Sequence, residues 1–415
     1  MEYQTVKGMR NIIGIEAEKF NFIEKTAIDM FKKYNYHYIR IPIIERAALF
    51  LRSIGETTDI VEKEMYLFTD KGKRKIALRP EGTVGVVKAY IEENFAQKFP
   101  SRKFYYTGQM FRQEKPQAAR YREFAQIGCE YFGNSLVYAE IEIILLAKEI
   151  IETIGIKDIK IQINSIGCAK CRPGFVNKVA DVLKNAFNTL CPDCQKRCRK
   201  NPLRALDCKI DGEKFSDLKI ELCENCKDNF EKLKKGLENF NVEFDVSDKL
   251  VRGLDYYTQT VFEIICKSLG TQNAICAGGR YDNLVQELGG MPTPALGFAI
   301  GVDRLVDILM KKSTGNSFTN LSVFVAAIGS DNVLNQGFSI LQKLRNSGVC
   351  ADGGYFGKSL KSQMRQANAL NSKYVIIIGD DEFKNNRVIV RNMENQKQNE
   401  VDVKNIVDEV TKLLL

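Results

Sequence analysis

Tryptophan is absent from the 415 residues, and histidine occurs once, at His37. A lone histidine ahead of a strand reads as structural, and no chemistry is assigned to it. No apolar run reaches the ~20 residues that a membrane span needs, and the N-terminus lacks the apolar core of a signal peptide. The expectation is a cytoplasmic protein with no membrane partner. A glycine-rich phosphate cradle is also missing. The string DGGYFGKS imitates a P-loop, but the position five before Gly357 is Asp352 rather than glycine, and no dinucleotide fingerprint occurs elsewhere. A bound nucleotide must therefore be gripped in another way.

What is present points to a multidomain globular chain. The length suits two or three domains, and the hydrophobic (44%) and charged (27%) fractions are ordinary. A net charge of +9 suits a polyanionic partner such as RNA. Of the twelve cysteines, eight lie between Cys168 and Cys226. Clustered CxxC pairs in a cytosolic chain suggest metal or redox chemistry rather than a disulfide framework.

The most informative stretch runs from Lys103 to Gly133. It reads as two strands, Phe104 to Arg112 and Glu123 to Phe132, joined by a charged loop. The second alternates with period two, so Phe124, Gln126, Gly128, Glu130 and Phe132 share one face. A glycine between an amide and a carboxylate suits the floor of a polar ligand pocket. The loop carries Lys115, Gln117, Arg120 and Arg122, a cationic set suited to phosphates.

Elsewhere, residues 16–36 show helical periodicity, and a strand follows from Tyr38 to Glu45 with Pro42 inside it. Residues 65–81 read as a hairpin turning at Asp70 to Gly72. RPEGT then opens a helix from Val84 to Asn94, placing Glu81 and Thr83 at a strand-to-helix junction. Val137 to Ile154 is a long helix, followed by the strand IKIQINSIG. A helical insertion, residues 165–245, leaves the core and returns on VEFDVSD. Lys311 to Asn320 is polar and turn-rich, a linker. Beyond it, strands LSVFVAAIG and SKYVIIIGDD alternate with three helices, which predicts a mostly parallel sheet. The expected domains are 1–320 and 321–415.

Several of these segments fall into one pattern. FRQE followed by RYREFAQIGCEYFG resembles motif 2 of the class II aminoacyl-tRNA synthetases, in the form found in histidyl-tRNA synthetases. YIRIPIIE resembles motif 1, the dimer interface of that class, and ALGFAIGVDRL resembles motif 3. LVRGLDYYTQTVFE and AGGRYD resemble two signatures peculiar to the histidyl enzymes. The resemblance implies an α+β catalytic domain with an antiparallel sheet, carrying the insertion, plus a C-terminal α/β anticodon-binding domain. The implied activity uses ATP, with Mg2+, to activate L-histidine and then charges tRNA(His), in a homodimer. The alternative is an inactive paralogue that regulates histidine biosynthesis; such paralogues lose motif residues and the anticodon domain.

The resemblance also implies roles. Arg112 meets the α-phosphate, Arg252 approaches phosphate and carboxylate as an electrostatic catalyst, and Arg304 holds the distal phosphates or covers the adenine. Glu81, Gly82, Thr83 and Gln126 match the site for the substrate ammonium. Glu130 and Tyr257 take the two imidazole nitrogens, with Tyr256, Gly278, Gly279 and Tyr281 as pocket wall. A site that bonds both ends of a ring rejects apolar isosteres by roughly 10⁴-fold, so no editing domain is expected. Gln117 and Arg122 match positions that meet the tRNA acceptor end.

The cysteines stand apart from many relatives, in which most are absent. Residues 173–190 would run ~27 Å outward as a helix and residues 226–239 would return. That layout brings Cys191, Cys194, Cys223 and Cys226 together at the far end, which suits a tetrahedral structural zinc site; the alternative is a set of reduced, partly buried thiols. Cys168, Cys171 and Cys208 would lie nearer the core, one ligand short of a second site. The zinc would stiffen an arm over the tRNA acceptor stem.

Overall fold

The computed structural model describes residues 3–55, 58, 60–114, 120–206, 208, 210–215, 217–251, 253–269, 274–312, 321–353 and 356–414. The chain divides into two compact units, Met1–Ser313 and Thr314–Leu415.

The first unit is built on an eight-stranded sheet. Its order is His37–Tyr38, Arg102–Phe111, Glu123–Phe132, Ala295–Gly301, Ala274–Arg280, Thr258–Cys266, Ile159–Ser165 and Phe244–Val246. Only the two outermost pairings are parallel; the inner ones are antiparallel. Strand alternation sorts the side chains to two faces. Ala125, Ile127, Cys129 and Tyr131 join the core under the helices Ile15–Lys33, Val137–Thr153 and Val302–Lys312. Phe132, with Phe124 at its edge, joins the opposite core, which packs against Ala47–Ile54 and Thr83–Glu92.

Two local expectations change. The strand expected from Tyr38 to Glu45 is split into His37–Tyr38 and Ile44–Arg46, which belong to different sheets. Pro42 has no N–H to offer a ladder. The Arg79 guanidinium instead takes the Ile41 carbonyl at 2.7 Å, and the Arg79 N–H takes that of Ile43 at 2.9 Å. The gap expected over Gly128 is not open space. A Cβ at Gly128 or Gly82 would strike the ring or hydroxyl of Tyr106, so both glycines make room for that tyrosine.

The insertion also departs from expectation. Its helices run Arg172–Asn185, Pro192–Lys200 and Glu224–Asn239. Glu224–Asn239 begins beside Cys168 and Cys171, not at the far end of Arg172–Asn185. The chain between residues 186 and 222 folds back first. Cys191, Cys194, Cys223 and Cys226 therefore do not converge: the second pair joins Cys168 and Cys171, and the first joins Cys208 and Asp211.

The second unit holds a five-stranded sheet in the order Ala351–Asp352, Val323–Ala327, Tyr374–Ile378, Arg387–Asn392, Gln398–Asp402. The first two pairings are parallel and the last two antiparallel. The sheet is mixed because the chain closes with a hairpin, in which the Asn392 N–H bonds the Lys397 carbonyl at 2.9 Å.

Within the first unit, sheet and helix layer are joined by a buried ion pair. Arg280, 1% exposed, donates from Nε to Glu140 Oε1 on Val137–Thr153 at 3.0 Å, and Glu140 is 4% exposed. Removing one partner strands the other charge in the core. Arg280→Met is expected to cost about 3–5 kcal/mol in urea denaturation, and the double variant Arg280→Met/Glu140→Leu should recover most of that loss.

Candidate active site

Of the residues singled out in the sequence, Glu81, Thr83, Arg112, Gln126, Tyr256, Tyr257 and Arg304 line one cleft of about 800 Å³ on the sheet face opposite the long helices, and Gly82, Glu130, Gly278, Gly279 and Tyr281 are not among its lining residues. Its two ends differ in charge. Glu81, Thr83, Gln126, Tyr256 and Tyr257 line the first; Arg112, Arg120 and Arg304 line the second.

At the first end the carboxylates are held before any ligand arrives. Glu81 ends the connection from Lys75–Leu78 and caps Thr83–Glu92. Its two oxygens accept the N–H groups of Thr83 and Val84, each at 2.8 Å, where the helix dipole favours a negative group. The Tyr256 hydroxyl lies 3.4 Å from Glu81 Oε2. Glu130 projects from near the end of the strand Glu123–Phe132 and is fully buried. It accepts from the Thr83 hydroxyl at 2.7 Å and from the Tyr281 hydroxyl. Three segments distant in sequence are thereby clasped: the RPEGT turn, the central strand and the AGGRYD turn.

Burial pushes Glu130 well above the usual carboxylate range, with the neighbouring charge of Glu81 adding to the rise against the hydroxyl donors. Burial likewise raises Glu81, against its backbone donors. The side-chain oxygen of Gln126 is buried without a hydrogen-bond partner. Glu81 and Gln126 line the cleft, where a cation donating N–H bonds would answer both; Glu130 is not among the lining residues, and its oxygens are taken by the Thr83 and Tyr281 hydroxyls.

At the second end three guanidinium groups face each other. Arg112 donates from Nε to the Pro80 carbonyl at 2.9 Å and stacks over Phe124 at 5.3 Å. Arg304 donates to the Ala274 carbonyl. Burial lowers the proton affinity of Arg304, and the charges of Arg120 and Arg112 lower it further. Glu114 offsets part of this charge, at 2.6 Å from Arg120 and 3.8 Å from Arg112. The arrangement attracts a polyanion without a P-loop.

Arg252 and Gln117 lie outside the described residues. The segment after Arg252 is gripped by the insertion: the Asn201 amide donates to Asp255 Oδ1 at 2.8 Å, and Arg172 donates to the Tyr257 carbonyl at 2.8 Å. Arg122 does not line the cleft; its guanidinium donates to the carbonyls of Lys7 at 3.2 Å and Glu114 at 3.3 Å. Gly278 and Gly279 lie in the strand beside Ala295–Gly301. Sequence reasoning missed Tyr106 under the two glycines, and Asp255 as the anchor of the insertion. Neither has a local signal, because both act through partners far along the chain.

Comparison with known proteins agrees with this geometry. The family described as Histidyl-tRNA synthetase matches residues 8–172 and 205–305, and the one described as Anticodon binding domain matches 322–413. The break after residue 172 falls in the cysteine-rich insertion. The chain is 45% identical over 413 residues to a histidine--tRNA ligase of Thermodesulfovibrio yellowstonii, covering 98% of each. It is 45% identical over 412 residues to another from Elusimicrobium minutum, covering 99% of each. The crystal structure of apo S. aureus histidyl-tRNA synthetase superposes with a TM-score of 0.82 at 32% identity, over 98% of this chain and 99% of that one.

The raised carboxyl of Glu130 has a measurable consequence. Its affinity for a proton is higher folded than unfolded, so the folded state binds more protons and stability falls as pH rises from about 4.5 through the raised value. Glu130→Gln removes that slope. Urea denaturation at pH 5.5 and pH 8 is expected to show the variant gaining on the parent at the higher pH; equal slopes would rule the assignment out.

Proposed function

The chain belongs to the histidyl-tRNA synthetases, and we propose that its bipolar cleft is where L-histidine and ATP are joined. The protein is an ATP-dependent ligase that charges tRNA(His) with histidine. The observation that carries the site reading is the pairing of a carboxylate end with a guanidinium end in one cavity.

In the first step the histidine carboxylate attacks the α-phosphorus of ATP, which enters as its magnesium complex, and pyrophosphate leaves. Two anions must meet, so charge neutralisation and in-line positioning carry most of the acceleration. Arg112 takes the α-phosphate and Arg304 the distal part of the nucleotide. Arg252 approaches from the opposite side, on the loop anchored by Asp255. The substrate ammonium is received by Glu81, Thr83 and the unpaired oxygen of Gln126, over the turn at Gly82. Glu130 and the Tyr257 hydroxyl meet the imidazole nitrogens, and Tyr256 and Tyr281 wall the ring. The two ring contacts leave polar groups unpaired when an apolar isostere binds, which gives the discrimination.

In the second step a hydroxyl of the terminal ribose of tRNA attacks the histidyl carbonyl, and AMP leaves. Gln117 serves the acceptor end. Arg122 is proposed to set the root of that loop, since its guanidinium is engaged with main-chain carbonyls. The unit matching the anticodon-binding family takes the other end of the tRNA. A homodimer completes the reading, supported by exposed apolar side chains at Ile43, Ile44, Leu67 and Phe68 next to the motif 1 segment. A cytoplasmic location fits the same reading; among the described residues no helix is long and apolar enough to cross a membrane.

Histidine-dependent exchange of labelled pyrophosphate into ATP tests the site. Arg112→Ala and Arg252→Ala are each expected to lower exchange about 100-fold or more while histidine still binds. Loss of histidine binding with an unchanged turnover number would contradict the role of Arg252, and absence of exchange in the parent protein would restore the regulatory alternative.

A further inference from the structure

Inside the insertion, eight potential ligands fall into two separate sets. The sulfurs of Cys168, Cys171, Cys223 and Cys226 all lie within 4.8 Å of one another, as do those of Cys191, Cys194 and Cys208 with a carboxylate oxygen of Asp211. Sulfur separations are 3.7 Å for Cys168 and Cys171, 3.9 Å for Cys168 and Cys223, and 3.7 Å for Cys191 and Cys208. A disulfide would need about 2.05 Å, and all of these cysteines are free. A tetrahedron with Zn–S bonds of ~2.3 Å has edges of about 3.8 Å. The observed spacings are those edges.

The surroundings are also those of metal-bound thiolates. Three helices of the insertion begin immediately after a ligand: Arg172–Asn185 after Cys171, Pro192–Lys200 after Cys191, and Glu224–Asn239 after Cys223. In these N-cap places a thiolate meets the positive helix end. Four anionic ligands around a dication leave a net negative charge, and donors stand ready to offset it. The Cys223 N–H points to Cys171 Sγ at 3.1 Å and the Lys170 N–H to Cys168 Sγ at 3.4 Å. Asp211, buried at 1% side-chain exposure, accepts the Cys191 N–H at 2.8 Å and the Lys214 ammonium at 2.7 Å. Such contacts orient ligands around a metal. The insertion otherwise relies on a small apolar cluster around Val179, Leu183, Leu203 and Phe215, and small cores commonly need a metal to hold them.

We propose that the insertion binds two structural zinc ions, one held by Cys168, Cys171, Cys223 and Cys226, the other by Cys191, Cys194, Cys208 and Asp211. The first locks two helix starts together at the root of the insertion. The second stands in the cleft wall, because Cys191 and Cys208 line the same cavity as Arg112 and Arg304. Zinc therefore shapes the cavity without taking part in the chemistry. This assignment does not rest on the synthetase reading of the site.

Metal analysis of the full-length protein after reduction and dialysis is expected to give two equivalents of zinc per chain. Cys168→Ser/Cys223→Ser should retain one, and Cys194→Ser/Asp211→Ala should retain the other. Zinc-edge X-ray absorption of the unaltered protein needs no variant and should report an average of about 3.5 sulfurs per zinc, from seven sulfurs and one oxygen. One equivalent or fewer, iron in place of zinc, or an average of four sulfurs would overturn the proposal. So would a variant that keeps both ions.

Discussion

The site depends on the burial of the Glu130 carboxylate. A carboxylate without solvent is tolerated only when its oxygens are satisfied. Here the Thr83 and Tyr281 hydroxyls satisfy them, and each comes from a different segment. The strand carrying Glu130 thus cannot pair in its register without drawing the RPEGT turn and the AGGRYD turn onto the same face. Glu81 repeats the device with main-chain donors. Burial raises the proton affinity of both carboxyl groups, and the charge of Glu81 adds to the rise at Glu130. The folded protein carries that electrostatic cost, which under the proposed function a cationic substrate group at Glu81 relieves. On that reading, affinity for the ammonium is stored in the fold itself.

The opposite end of the cleft follows the same logic with the sign reversed. Arg112 and Arg120 come from one hairpin stretch and Arg304 from a distant helix, and their mutual repulsion is offset by Glu114 and by carbonyls at Pro80 and Ala274. Guanidinium groups suit this work because they keep their charge when buried and present planar donors to phosphate oxygens. A P-loop is replaced by side-chain cations: Arg112 directly follows the strand Arg102–Phe111, Arg120 precedes the strand Glu123–Phe132, and Arg304 stands in the first turn of the helix Val302–Lys312. Under the proposed function, one cleft with opposite charge at its ends orients an amino acid and a nucleotide head to tail, as adenylation requires.

The insertion bears on this centre through main-chain and side-chain contacts. Asn201 and Arg172 hold the turn at Asp255 and the carbonyl of Tyr257, so the order of the insertion and the position of the two tyrosines are linked. Both cysteine sets lie within that arm. Its rigidity reaches the cleft over a few residues rather than through the whole domain.

Much of this was legible in the chain. The alternation from Phe124 to Phe132 predicted the central strand and its two faces, because strand periodicity depends only on neighbours along the backbone. Helix starts and stops were legible to within a few residues: the periodic stretch 16–36 forms the helix Ile15–Lys33, which stops short of Asn35 with its positive φ of 61°. Dispersed signature strings located the cleft-lining residues Glu81, Arg112, Gln126 and Arg304. What only the tertiary structure decided are relations between distant segments. Pro42 splits a strand because Arg79, far along the chain, captures the carbonyls on either side. Tyr106 fills the space over Gly128 because strand register sets it opposite. The cysteine pairs sort as they do because residues 186–222 fold back before the last helix begins, and Asp211 joins Cys191, Cys194 and Cys208 only through that path. A local pattern states what a segment can be; the route of the chain between segments determines which of them meet.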